Sequence, residues 1–389
     1  MRRERCVPRE GWRQRVEAVG LSFHSEAGQP YWCEEVCYAF TSAEIDQLEA
    51  ATDALHALCL EAAERLIRGG DLGRLAIPEP YWPWIAESWR RGDPALYGRF
   101  DLAYDGSGPP KMLEYNADTP TALLEAAVVQ WYWLEDTRPA ADQFNSIHER
   151  LIAAWAAIGA ARPPGEPVHF AGLSAEPEDQ ITLTYLRDVC AQAGFATVAL
   201  DIAEIGWNGR DFTDLDERAI ALLFKLYPWE WLLDEDFARH LPAGHTRFIE
   251  PPWKMVLSTK AILPILWEMF PGHPNLLPAA FDRAGVRGAC VEKPCHGREG
   301  EGIRLLSGRE RGGGTGRIWQ AHHPLAEQDG RHAVIGSWVI GGKAAGIGIR
   351  ESAGPVTGND CLFVPHWFGE RRAVAIPAAW PPDPARRCV

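Results

Sequence analysis

The stretch KMLEYNADTPTALLEAA, Lys111–Ala127, decides how the rest of the chain is read. Its first half has the composition of a strand and its second half that of a helix. Glu114, Asn116 and Asp118 nevertheless put polar groups where the strand hands over. The preceding YGRFDLAY, residues 97–104, supplies a partner strand, and DGSGPP at 105–110 marks the turn between them. Strand side chains alternate faces, so Arg99 shares a face with Asp101, and Met112 shares one with Glu114 and Asn116. A hairpin symmetric about DGSGPP sets Asp101 opposite Glu114 and Arg99 opposite Asn116, and opposed residues point the same way. One face then carries an arginine, two carboxylates and a carboxamide. The opposed carboxylates repel, so something must offset them, and removing one is expected to relieve the protein without its metal. Two readings fit. A hard divalent cation takes such oxygens, with Arg99 on a phosphate or carboxylate; a solvated sheet face with an Asp–Arg pair uses the same residues.

The 389 residues are enough for a substantial core and two to three domains. The 46 % hydrophobic and 24 % charged content is that of an ordinary globular chain. A net charge of −14 argues against a nucleic-acid partner, because phosphate contacts need surplus Lys and Arg. No window approaches the roughly 18 apolar residues of a membrane span, and the basic N-terminus has no apolar run behind it. The nine cysteines are scattered without a CxxC, and only Cys33 and Cys37 are close in sequence. They read as reduced thiols of a cytoplasmic protein. The 17 tryptophans, clustered in YWPW, WYWLED and YPWEWLL, read as core and interface packing.

Along the chain, 42–68 has helical spacing with Ser42 as a plausible N-cap, and 79–97 reads as irregular. A helix is expected from Thr119 as cap and Pro120 as first helical residue through WYWLED, followed by a second helix over about 141–160. VHFAGL, EDQITLTYLRDVCAQAG, FATVAL and AIALLFKLY predict a parallel βαβ unit. STKAILPILWEMF predicts a helix. GACVEKP, RIWQAH, HAVIGSWVIGG and AAGIGIRES predict strands. RERGGGTGR at 309–317 reads as a loop and lacks the ending of a phosphate-binding P-loop. His322 and His323 have no ligand spacing and read as loop residues.

GRFDLAYDG…KMLEYNADTPTALLEA, PPWKMVLSTKAILPILWEMF, VEKPCHGREGEGI and VIGGKAAGIGIRES, in this order, resemble the synthetase domain of the glutathionylspermidine synthase family, a branch of the ATP-grasp ligases. The resemblance covers essentially the whole chain. It implies an α/β ATP-grasp-like fold, with antiparallel sheets clamping the nucleotide and a Rossmann-like pre-ATP-grasp unit. It divides the chain into 1–160 (helices and metal hairpin), 161–245 (βαβ unit) and 246–389 (nucleotide-binding part). It implies Mg²⁺ on Asp101, Glu114 and Asn116. Lys260, Lys293, Arg99 and Arg350 fall on ATP phosphates, with Arg99 and Arg350 at the transferred group or the reacting carboxylate. Thr119, Thr121 and Arg298 match positions that hold the peptide acid, and Glu178 and Asp179 a pair that faces the amine.

The implied reaction is ATP-dependent amide formation through an acyl phosphate, from a peptide-type acid and a small amine or polyamine, with cations rather than a covalent nucleophile meeting the phosphoryl charge. CHGREGEG and GGGTG are candidate lids over that intermediate. Bifunctional members carry an amidase domain before the synthetase. This chain starts in the synthetase-like region, so that hydrolysis is not expected. The alternative is an ATP-binding module or a kinase-like enzyme without ligase activity.

Overall fold

The computed structural model describes residues 1–370 apart from 27, 161–164, 299, 309–313, 357 and 359–360. The first five residues of RERGGGTGR, and with them the first two of GGGTG, therefore lie outside the described residues. Two antiparallel sheets carry the centre of the molecule. The larger has the order Leu362–Val364, Lys343–Ser352, Arg331–Ile340, Tyr97–Ala103 and Lys111–Asn116, with Ala326–Gln328 also paired to Arg331–Ile340. The smaller has the order Ala279–Ala280, Arg317–Ala321, Cys290–Pro294 and Arg304–Leu306. A parallel sheet of Arg247–Ile249, Leu222–Leu226, Val168–Gly172 and Thr197–Asp201 realises the expected βαβ unit, with the helix Pro177–Gln192 as crossover. The three-residue strand RFI was not anticipated, because so short a segment carries no period. A fourth sheet ties the N-terminal strand Arg2–Arg5 and Val36–Phe40 to His366–Glu370 and Ala141–Asp142.

The long helix Ser42–Gly69 buries Leu48, Leu55, Cys59, Ala62 and Leu66 and packs on the two long strands of the larger sheet. Thr52 reaches through that contact to share a buried 2.6 Å hydrogen bond with Ser337. The helix is capped one residue earlier than its sequence suggested. Thr41, not Ser42, accepts the amide of Glu44, and the Glu44 carboxylate accepts the amide of Thr41 at 2.7 Å. This closes the capping box.

Several other local expectations give way to tertiary packing. Residues 82–91 of the tryptophan-rich segment are a helix, with Pro83 in its first turn, where a missing N–H costs nothing. The helix after the hairpin does not start at Thr119. Residues 117–122 are a loop with Ala122 in the left-handed region (φ 63°), and helical backbone begins at Leu123 and passes through a π-turn at Glu125–Val129. The 141–160 segment is a short strand followed by the helix Ile147–Gly159. STKAILPILWEMF breaks between Met255–Ser258 and Ile262–Met269, because the Lys260 amide and the Thr259 hydroxyl both bond to the Cys295 carbonyl. Among the described residues, no helix is long and apolar enough to cross a membrane. Five tryptophans (32, 133, 155, 229 and 338) are among the largest fully buried side chains, as core packing requires.

Replacing Thr41 by Ala removes one half of the reciprocal cap and is expected to cost about 1 kcal/mol of stability. Urea unfolding measures it, and an unchanged midpoint would contradict the capping assignment.

Candidate functional site

The hairpin pairs as its sequence predicts: Arg99 lies opposite Asn116, and Asp101 opposite Glu114. One residue later the register slips. Leu102 faces Met112, so Leu113 bulges out of the ladder. The bulge corrects the expected face of Met112. Met112 is fully buried in the core, whereas Leu113 joins Glu114 and Asn116 in lining a cavity. The strand Lys111–Asn116 is the edge of the larger sheet, and the smaller sheet bonds to two of its carbonyls. Lys293 Nζ donates to the Leu113 carbonyl at 2.7 Å, and Gln320 Nε2 to the Met112 carbonyl at 3.0 Å.

Between the two sheets lies a cavity of about 340 Å³. This is within the roughly 300–1,000 Å³ typical of small-molecule sites. The smaller sheet contributes a face on which Val291 is registered with Leu305 and Gln320, and Lys293 follows two residues along. The larger sheet contributes Arg99, Asp101, Glu114, Asn116 and Arg350. Lys260 enters from the break between the two helices. Its ammonium donates to the Gly297 carbonyl at 2.7 Å and stands 3.4 Å from Glu114. Thr119, Thr121 and Arg298 also line the cavity, the last with its guanidinium 5.6 Å from the Trp231 ring.

Asp101 is held by two arginines. Arg99 Nε donates to it at 2.8 Å, and Arg350 donates to its other oxygen. Burial disfavours the charge of Asp101, but Arg350 and Arg99 outweigh it and hold the carboxyl at about 2. Burial also works against Glu114, and Lys260, Lys293 and Arg350 together still keep its carboxyl below the ordinary range, although Asp101 opposes them. The repulsion expected between the two carboxylates is therefore offset by cations of the chain, and removing one is not expected to relieve the protein. Burial lowers the Lys293 ammonium to about 8, against the pull of Glu114.

Of the residues singled out in the sequence, Glu178 and Asp179 do not line this cavity. They lie in the first turn of the helix Pro177–Gln192, where the charge of Glu178 bears on Tyr31 and Glu125. Glu125 is itself a buried carboxyl that accepts from the Tyr31 hydroxyl at 2.6 Å, and burial pushes it up to about 7. The sequence reading passed over it, although an acidic residue inside LLEAAVVQ was the available signal.

Three further features were missed. His322 and His323 are loop residues as expected, but their loop lines the cavity. Asp118 receives the fully buried Lys225 ammonium at 2.7 Å and the Trp229 amide at 2.9 Å, which ties the loop 117–122 to the parallel sheet. A lysine in the middle of the apolar run ALLFKLY was its signal. Gly336, registered with Asp101, leaves the space through which Arg99 passes; a Cβ there would stand 2.9 Å from Arg99 Cδ.

Comparison with known proteins shows the family and the fold. A family model described as glutathionylspermidine synthase preATP-grasp matches residues 3–369. A Haemophilus influenzae protein provisionally named an acid–amine ligase is 43 % identical over 91 % of this chain and 96 % of its own length. Trypanothione synthetase of Crithidia fasciculata is 30 % identical over 79 % of this chain, and the bifunctional glutathionylspermidine synthetase/amidase of Escherichia coli is 29 % identical over 80 %. The chain spans only 53 % and 56 % of those two longer relatives. A solved glutathione synthetase-like effector of Globodera pallida superposes with a TM-score of 0.57 at 10 % identity, covering 94 % of this chain and 100 % of that one. The fold is the mixed α/β, ATP-grasp-like architecture expected from the sequence.

Removing one partner of the Asp118–Lys225 pair strands a buried charge. Lys225→Met is expected to cost about 3–5 kcal/mol. Adding Asp118→Asn, which keeps an acceptor for the Trp229 amide, is expected to recover part of the loss in chemical denaturation. If the double variant is less stable than Lys225→Met alone, the pair is not the cause.

Proposed function

Because the chain belongs to the glutathionylspermidine synthase preATP-grasp family, we propose that it is an ATP-dependent carboxylate–amine ligase that joins a peptide-type acid to a small amine or polyamine. The observation that carries this reading is the convergence of cations between the sheets. Arg99 and Arg350 meet at Asp101, and Lys260 and Lys293 at Glu114, so four cations gather around these two carboxylates, while Asp118, Glu230, Glu301 and Glu327 line the rest of the cavity. Such a cluster suits the oxygens of a Mg²⁺-bound triphosphate. A solvated sheet face has no use for four converging cations.

The oxygens of Asp101, Glu114 and Asn116 fit a hard cation in type and in charge state, since both carboxyls are kept ionised. Asp101, Glu114 and Asn116 would hold Mg²⁺, whose charge would neutralise that of the nucleotide phosphates. Lys260 and Lys293 would grip the phosphates, and the apolar face of Val291, Ile303 and Leu305 would cover the base. Arg99 and Arg350 would turn from Asp101 toward the transferred phosphoryl group and the acid that receives it. Thr119, Thr121 and Arg298 would hold the acid's remaining groups, and Glu178 and Asp179 would attract the amine from beyond Arg99. The amine then displaces phosphate from the acyl phosphate, giving an amide, ADP and phosphate. In this division of labour 1–160 brings the metal hairpin, 161–245 the parallel unit, and 246–389 the phosphate lysines. ATP and free thiols fit a cytoplasmic setting.

Glutathione and spermidine are the first probes, with ADP release as the readout. Release that needs both an acid and an amine, across a panel of peptides and polyamines, is the expected result. Release from acid alone would mean an acid kinase, and nucleotide binding with no turnover under any pair would overturn the ligase reading.

Lys260→Ala and Lys293→Ala are each expected to weaken ATP binding by about 1.5–3 kcal/mol in calorimetry while the fold persists. Arg298→Ala should raise KM for the acid more than KM for ATP. Equal effects would count against an acid-binding arginine.

Glu114→Gln should lower the stability of the nucleotide-free protein slightly, because Lys260 and Lys293 lose their counter-charge, and should abolish most Mg²⁺-dependent turnover. Full turnover with full nucleotide stabilisation in that variant would remove Glu114 from the metal set.

A further inference from the structure

A second chemical site lies away from the cavity, at the N-terminal sheet. The strand Arg2–Arg5 runs antiparallel to Val36–Phe40 with Glu4 opposite Cys37, and the next residue but one, Cys6, donates its amide to Glu35 at 2.7 Å. Cys6 and Cys37 are therefore diagonal neighbours on one face of adjacent strands. Their sulfurs are 3.1 Å apart. A disulfide is about 2.05 Å long, so side-chain rotation of about 1 Å would join them. Cys33, close to Cys37 in sequence, is not its partner, because position 33 precedes the strand.

The surroundings favour a thiolate. Arg138 places Nη2 3.5 Å from the Cys37 sulfur and 3.8 Å from that of Cys6, and its guanidinium is packed over the Trp367 ring at 4.9 Å. Its remaining charge partner there is Glu4, at 3.5 Å. The hydrogen bond with Cys37 lowers the Cys6 thiol to about 7 against the effect of burial, with help from Arg138. The same sulfur–sulfur bond and burial push Cys37 up. Burial instead raises the thiols of Cys33, Cys59, Cys290 and Cys295. Cys6 is also the one half-exposed thiol among the described cysteines, whereas Cys37 is fully buried. An accessible low-pKa thiol beside a sheltered one is the arrangement of an attacking and a resolving cysteine.

We propose that Cys6 and Cys37 form a reversible dithiol–disulfide site that exchanges with low-molecular-weight disulfides. The Cys6 thiolate attacks one sulfur of R–S–S–R; a protein–S–S–R bond forms, the R–S–S–R bond breaks, and R–S⁻ leaves and takes up a proton. Cys37 then gives up its proton and attacks the Cys6 sulfur, expelling the second R–S⁻. Two protein thiols are oxidised by two electrons, and one small disulfide is reduced to two thiols. Arg138 stabilises the thiolate at each step. The site does not rest on the ligase reading, since none of the three residues lines the cavity.

The reduced full-length protein is incubated with glutathione disulfide, quenched with an alkylating reagent, and mapped by mass spectrometry. Cys6 and Cys37 are expected to be the first pair lost to alkylation, joined in one linked peptide that dithiothreitol releases. Cys37→Ser is expected to stop at a single mixed disulfide on Cys6. If the wild-type protein yields no Cys6–Cys37 peptide, or yields it no faster than links among the buried cysteines, the proposal fails. This mapping needs no variant, so it decides the matter even if Cys37→Ser does not fold.

Discussion

The hydrogen bond from the Lys293 ammonium to the Leu113 carbonyl joins the two antiparallel sheets where the chemistry is proposed. The strand Lys111–Asn116 is the edge of the larger sheet, so its outer side is open to the smaller one, which supplies Gln320 and Lys293 as donors to the carbonyls of Met112 and Leu113. Beyond the slip, the regular part of the hairpin keeps Asp101 and Glu114 as direct neighbours at the cavity wall. One edge strand thus carries the contact between the sheets, two of the candidate metal donors and part of the cavity lining.

Around that junction the electrostatics are arranged for a guest. Asp101 is bracketed by Arg99 and Arg350, and Glu114 by Lys260 and Lys293, so both carboxylates are held by cations of the chain. Desolvation makes isolated buried charges costly, and these pairs offset that cost. A polyanion with its cation can replace those partners without leaving any charge alone. The buried Asp118–Lys225 pair plays a different part. It has no surplus charge to offer and fixes the loop of Thr119 and Thr121 against the parallel sheet.

Much of this was legible in the sequence because it depends on short-range pattern. Alternation and a symmetric turn were enough to oppose Asp101 to Glu114 and Arg99 to Asn116, and apolar runs separated by a helical segment were enough for the parallel unit. The bulge was not legible, since nothing in KMLEYN distinguishes a regular strand from one that slips by a residue. Met112 was therefore assigned to the wrong face. The helix start at Leu123 rather than Thr119 follows from the tertiary tie on Asp118, which a local capping pattern cannot express. His322 and His323 have no ligand spacing along the chain, yet the end of the strand Arg317–Ala321 delivers them to the cavity. Glu178 and Asp179, matched by resemblance, stand beyond the cavity wall, so their proposed role depends on the amine approaching from a side that the hairpin pattern does not describe.

The central claim is that the acid is activated by phosphoryl transfer before the amine attacks. It is tested most directly by isotope transfer from the acid. The peptide acid that supports turnover is labelled with oxygen-18 in its reacting carboxylate and incubated with enzyme, Mg²⁺-ATP and amine, and the released phosphate is analysed. An acyl phosphate carries one carboxylate oxygen into the phosphate, so one labelled oxygen per phosphate is the expected result. Unlabelled phosphate alongside amide product would contradict the account, because the carboxylate would then never have been phosphorylated.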